Sequence, residues 1–116
     1  MGYRFINTEY IDSVAGGDKD IMTEIVNMFR EQVVEFHNEM KALLDSKQYF
    51  NLGLLAHKAK SSVAIMGMSD LAIMLKNFEI EAKETKNVEN YGPYIQRFRD
   101  DTGEAVKELD DLLSKL

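Results

Sequence analysis

The chain has 116 residues, enough for one domain with one core, and its 45% apolar and 29% charged content is that of an ordinary globular protein. Twenty carboxylates against fourteen Lys and Arg give a net charge of −6, which argues against nucleic acid as the main partner. There is no cysteine, so neither a disulfide framework nor a thiolate metal site can be built, and the absence fits a reducing cytoplasm.

The start of the chain, MGYRFINTEYID, has no apolar stretch and predicts no signal peptide. No apolar run approaches the roughly 18 residues a membrane span needs. Asn7 and Thr8 are candidate caps for a short helix over Glu9 to Ala15, which Gly16 and Gly17 end. Asp18 then caps a long helix. Along it Ile21, Ile25, Met28, Phe29, Val33, Phe36, Met40, Leu43 and Leu44 recur at three- and four-residue steps, predicting one apolar stripe. Asp45, Ser46 and Lys47 read as a tight break.

A third helix is expected from Gln48 to Met66, ended by Gly67 as a structural terminator. Ser69 is the candidate cap of the next, whose apolar side is Leu71, Ile73, Met74, Leu75 and Phe78. Thr85 to Asn90 is a polar connection. Pro93 fits only the first turn of a helix, so the last helix is placed from Tyr91. Its stripe is Tyr94, Ile95, Phe98, Thr102, Ala105, Val106, Leu109, Leu112, Leu113 and Leu116. No strand pattern competes. The predicted fold is all-α: an antiparallel up-down-up-down four-helix bundle with a short additional N-terminal helix, forming one domain over residues 1–116.

The third helix carries the candidate chemistry. At 100° per residue, Leu52, Leu55, Ala56, Ala59, Ser62, Val63 and Met66 fall on the side away from His57, at about 140° to 260°. Phe50, Gly53, Leu54, Lys60, Ser61 and Ala64 lie within about 60° of it, with Ile65 at the edge. His57 is therefore expected to point outward, with Lys60 and Ser61 one turn on. Its surroundings are apolar and small where a solvated face would carry Glu, Lys and Gln. That collar of Phe50, Gly53, Leu54, Ala64 and Ile65, with solvent-facing Lys58, is a candidate partner-binding surface. A neutral imidazole is a nucleophile near neutral pH. The Lys60 ammonium is placed to steady phosphoryl oxygens, and Ser61 leaves room for them. Ser62, near the core, is expected to bond back to a carbonyl.

The string AHKAKSSVAIMG, Ala56 to Gly67, resembles the signature of histidine-containing phosphotransfer (HPt) domains. That signature has a histidine, a lysine three residues on, small residues at the next two positions and a glycine at the tenth. His57, Lys60, Ser61, Ser62 and Gly67 match it, and downstream Leu71 and the Phe78-Glu79 pair are similar to the family's next helix. Ser61 stands where the family most often has glycine, and Ala59 where it often has a larger apolar residue. The resemblance covers essentially the whole chain. It implies a phosphorelay intermediate that takes a phosphoryl group from a receiver-domain aspartate on His57 and passes it to another receiver. Glu79 resembles the acidic residue that in some members of the family accepts a hydrogen bond from the imidazole Nδ1, and it reads equally as a solvated residue of the fourth helix. Partners would be response-regulator receiver domains and a hybrid sensor histidine kinase, in the cytoplasm. No cofactor is implied on this chain; Mg²⁺ is expected on the receiver.

The chain has no glycine-rich phosphate loop, so it reads as a phosphoryl carrier and not a kinase with its own ATP site. Two other readings stand beside this one: a helical adaptor that docks receivers without transfer, and a phosphotransfer module of a chemotaxis-type kinase. Glu35, Asn38 and Glu39 beside His37 supply no metal-ligand set, so no metal is expected and His37 reads as surface. The seven methionines read as core filler, with Met66 and Met68 as candidates for an adaptable docking surface.

Overall fold

A computed structural model describes residues 3–115, and every regular element among them is helical. The helices are α1 (Thr8–Ala15), α2 (Lys19–Asp45), α3 (Tyr49–Ile65), α4 (Ser69–Glu84) and α5 (Tyr91–Ser114), with a 3₁₀ turn over Val88–Asn90 before α5. None of the described helices is long and apolar enough to cross a membrane. Among the long helices, α2 packs on α3 and α5, and α4 packs on α3 and α5.

Local chemistry sets most helix ends. The Asn7 side chain accepts from the Tyr10 N–H, so Asn7, not Thr8, caps α1. Gly16 closes α1 with a left-handed φ of 64°. The Asp18 carboxylate accepts from the Asp20 and Ile21 N–H groups and starts α2. Ser69 does not cap α4 as expected: Met68 holds that position, no side-chain cap bond forms, and Ser69 is the first helical residue.

The expected α2 stripe faces the core except at Ile21 and Met28: Ile25, Phe36, Leu43 and Leu44 pack against it. Met22, Val26, Phe29, Val33 and Met40 are buried, whereas Ile21 and Met28 are exposed. Ile73 on α4 is likewise exposed. On α5, Tyr91 and Leu109 are fully buried, and Leu116 lies outside the described residues. Met66 and Met68 are buried, so neither is an exposed docking residue, and Met66 reaches the surface only in the lining of a small cavity beside Ile65.

The segment before α1 straps the helix ends together. The Arg4, Phe5 and Ile6 N–H groups all donate to the Glu108 carboxylate at 2.9–3.2 Å, and the Asn7 N–H donates to Met66 O at 3.1 Å. This gives Gly67 a second constraint besides its φ of 72°: a Cβ there would stand 2.4 Å from Asn7 Cβ.

An aromatic cluster fixes α4 against α5. The Phe78 ring lies 5.5 Å from Tyr91 and 5.1 Å from Tyr94. The Tyr91 hydroxyl contacts the carbonyls of Glu81 and Lys86 at 2.8 and 2.6 Å, tying the end of α4 and the next loop to the start of α5. Tyr91→Phe keeps the ring and leaves Glu81 O its bond from the Lys86 N–H at 2.9 Å, so only the hydroxyl's own bond is lost and a loss of about 1 kcal/mol is expected in urea unfolding. An unchanged midpoint would mean the hydroxyl anchors nothing.

Candidate functional site

His57 stands in the middle of α3, and its side chain is 55% exposed. Glu79, on α4, comes up beside it: His57 Nδ1 is 3.0 Å from Glu79 Oε1 and 3.1 Å from Oε2. Glu79 is only 12% exposed and also accepts from Lys83 Nζ at 2.8 Å, one turn along α4, and from Lys60 Nζ at 3.5 Å. Burial pushes this carboxyl up, but hydrogen bonds from Lys83 and His57, with positive charge nearby, outweigh it and hold the pKa at about 2. Glu79 is therefore ionised at neutral pH. A carboxylate only accepts, so Nδ1 carries the hydrogen, which in the neutral ring leaves the lone pair on Nε2.

Gly53 makes this meeting of helices possible. It is buried, and a Cβ there would stand 3.0 Å from Glu79 O and 3.1 Å from Lys83 N. It sits one turn before His57, on the side of α3 that faces α4. This corrects its place in the docking collar: Gly53 is covered by α4 and offers no surface to a partner.

The rest of the collar is open. Phe50 is 57%, Leu54 43% and Ile65 42% exposed, and Lys58, Ser61 and Ala64 are exposed as well. Ser61 Oγ reaches back to His57 O at 3.5 Å. Ser62 does not bond back to a main-chain carbonyl of α3 as expected; its hydroxyl donates to the Gln32 side-chain Oε1 on α2 at 3.1 Å. Lys60 is half-buried, its ammonium on the Glu79 side of the imidazole.

Two features were not singled out from the sequence. Lys83 is the strongest partner of Glu79, and the i, i+4 Glu-Lys spacing was the available signal. Beside Ile65, Val14 of α1 and Ile25 and Met28 of α2 line an apolar cavity of about 180 Å³ that extends the collar across three helices. His37 is also not a plain surface residue; it is half-buried in a groove between α2 and α5. Among the described residues no group of three His, Asp or Glu side chains is placed to hold a metal ion.

The arrangement offers an outward imidazole nitrogen, an ionised carboxylate fixing the other nitrogen, an adjacent ammonium and a surrounding apolar surface. No protein-family model, no curated protein and no solved structure matches the chain.

Proposed function

We propose that this chain is a histidine-containing phosphotransfer domain, its four long helices forming an antiparallel up-down-up-down bundle, and that it works as a cytoplasmic phosphorelay intermediate. The observation that carries the reading is the 3.0 Å contact of Glu79 with His57 Nδ1 on an imidazole that is otherwise exposed. A histidine that merely filled space would not have one nitrogen fixed by a buried carboxylate and the other left open.

In the proposed reaction a receiver domain bearing phospho-aspartate docks on the collar of Phe50, Leu54, Ala64 and Ile65. The Nε2 lone pair attacks phosphorus in line, an N–P bond forms, and the P–O bond to the aspartate breaks, returning its carboxylate. The proton stays on Nδ1. Glu79 accepts its hydrogen bond and balances the positive charge that builds on the ring as Nε2 becomes bonded. Lys60 steadies the equatorial phosphoryl oxygens. Transfer to a second receiver is the reverse step, so the chain ends as it began. The receivers supply the acidic pocket and its Mg²⁺, and a hybrid sensor kinase is the natural source of the first of them.

The test is to mix the protein with a phosphorylated receiver and follow base-stable, acid-labile label. Wild type should take up label and His57→Gln none. Equal labelling of the two would rule out His57 as the acceptor. Receiver binding by both without labelling of either would favour an adaptor.

A further inference from the structure

The seam between α2 and α5 shares no helix with the α3–α4 seam that holds His57, and its chemistry is different. Two cavities of about 670 and 160 Å³ lie along it, with His37, Lys41 and Arg99 common to both. Together they run from Arg30 to Asp45 on α2, which at 1.5 Å per residue is about 22 Å.

The floor is apolar. Val33, Val34 and Val106 form it at one end, and Val34 is 58% exposed although β-branched residues are poor choices for a solvated helix face. The rim is basic. Arg30, Lys41, Arg99 and Lys107 line it, four of the fourteen Lys and Arg in a chain of net charge −6. Arg30 pairs with Asp110 and Lys107 with Glu104. Lys41 and Arg99 form no ion pair among the described residues. Their field is felt by His37: burial lowers its pKa, and the charges of Arg99 and Lys41 lower it further.

The α5 wall also contains two glycines, Gly92 and Gly103, eleven residues apart and so on nearly the same helix face. A Cβ at either would meet nothing within 4 Å, so no contact within the protein calls for glycine. Glycine inside a helix is unfavourable, and bare backbone along a groove lets another backbone come close. A groove about four turns long, apolar at each end, with basic residues along it and two bare positions, matches an amphipathic helix with acidic flanks.

We propose that the α2–α5 groove docks an acidic amphipathic helix of a partner protein, independently of His57. The apolar lining at both ends, Val33, Val34 and Val106 at one and Leu44 and Ile95 at the other, separates this from a nucleic-acid site, which would need cations along its whole length. The cations along the rim would meet one another if this face paired symmetrically with itself, so they favour an acidic helix over that self-pairing and speed its approach.

The test uses isotope-labelled full-length protein and a synthetic peptide of about 15 residues, long enough to span the groove as a helix. The peptide carries Leu at i, i+3, i+4 and i+7 with Glu on the flanks, and its twin carries Lys for every Glu. Saturable NMR shifts at Gly92, Arg99 and Gly103 are expected with the Glu peptide, at a dissociation constant below about 1 mM. Lys41→Glu combined with Arg99→Glu should weaken binding at least tenfold. Gly103→Leu should do the same with the helical circular dichroism intact, since the space it enters is empty in the free protein. His57→Gln should bind like wild type. Shifts centred on α3, equal binding of the Lys twin, no saturable shift at all, or self-association through this face would each overturn the proposal. So would tighter binding there of a single-stranded oligonucleotide.

Discussion

Gly53→Val should destabilise the protein by about 2–3 kcal/mol and part His57 from Glu79. A Cβ at this position meets main-chain atoms of α4, Glu79 O at 3.0 Å and Lys83 N at 3.1 Å, and these move only if the helix moves. The third close atom, Lys83 Cγ at 2.8 Å, can swing aside, so the backbone contacts decide the outcome. Val adds two methyl carbons to that clash. Replacing glycine in a helix returns a few tenths of a kcal/mol of propensity, which is too little to offset overpacking at a helix contact. The displaced atoms belong to the residue that holds the imidazole, so the damage reaches the site directly. Gly103→Ala is the control. It makes a larger favourable change in helix propensity where nothing lies within 4 Å, and should stabilise by about 0.5–1 kcal/mol. Urea midpoints give both energies, and the His57 Nδ1 proton resonance reports the contact. A Gly53→Val protein as stable as wild type would mean that α3 and α4 do not approach this closely.

The same glycine shows what a single chain reveals about a helix and what it conceals. A helical wheel gives each residue one angle about one axis. Gly53 and Lys60 fall about 40° and 60° to one side of His57, and Ser61 and Leu54 about as far to the other, so the wheel groups them all on the His57 face. The structure divides that face, because α4 covers the Gly53 and Lys60 side and leaves the Leu54 side open. Which side a neighbour occupies is a tertiary fact that periodicity in α3 does not contain.

Two residues of the α2 stripe, Ile21 and Met28, face solvent for a related reason. Apolar residues wrap more than half of that helix, and Ile21 and Met28 lie about 100–120° from the line through Met22 and Met40. Both edges of so broad a band look equally suited to the core, and only the positions of α3 and α5 choose between them. Helix ends were far more legible. Asn7, Gly16, Asp18 and Gly67 act through bonds to their own neighbours or through their own φ, so the information is local. The exposure of Phe50, Leu54 and Ile65 was also legible, since large apolar residues opposite a complete apolar stripe have no core left to enter. The basic lining of the α2–α5 groove was not, because Arg30, Lys41, Arg99 and Lys107 come from two distant segments and meet only on folding.

Removing the Glu79 carboxylate should have the largest effect on chemistry short of removing His57. Glu79→Ala should slow phosphoryl uptake from a phosphorylated receiver ten- to hundredfold, the range seen when carboxylate partners of histidines are lost in metal sites. Two losses combine: the ring no longer has a fixed tautomer, and the charge that forms on it no longer has a counter-ion. Glu79→Gln keeps an acceptor oxygen for the Nδ1 hydrogen and loses only the charge, so it should fall between Ala and wild type. Stability carries an independent signature. The folded pKa of about 2 lies below the ordinary 4.5, so ionised Glu79 stabilises the folded state above pH 4.5, and this contribution is lost as pH falls through about 2. Its size is about 2 kcal/mol once discounted for the water that still reaches Lys83 and Lys60. Wild type should therefore exceed Glu79→Gln by that margin at neutral pH, and the gap should close on acidification. A gap that stays constant down to pH 2 would show that the carboxylate is not held by these cations. Uptake unchanged in Glu79→Ala, with Nδ1 still protonated, would show that it does not orient the histidine.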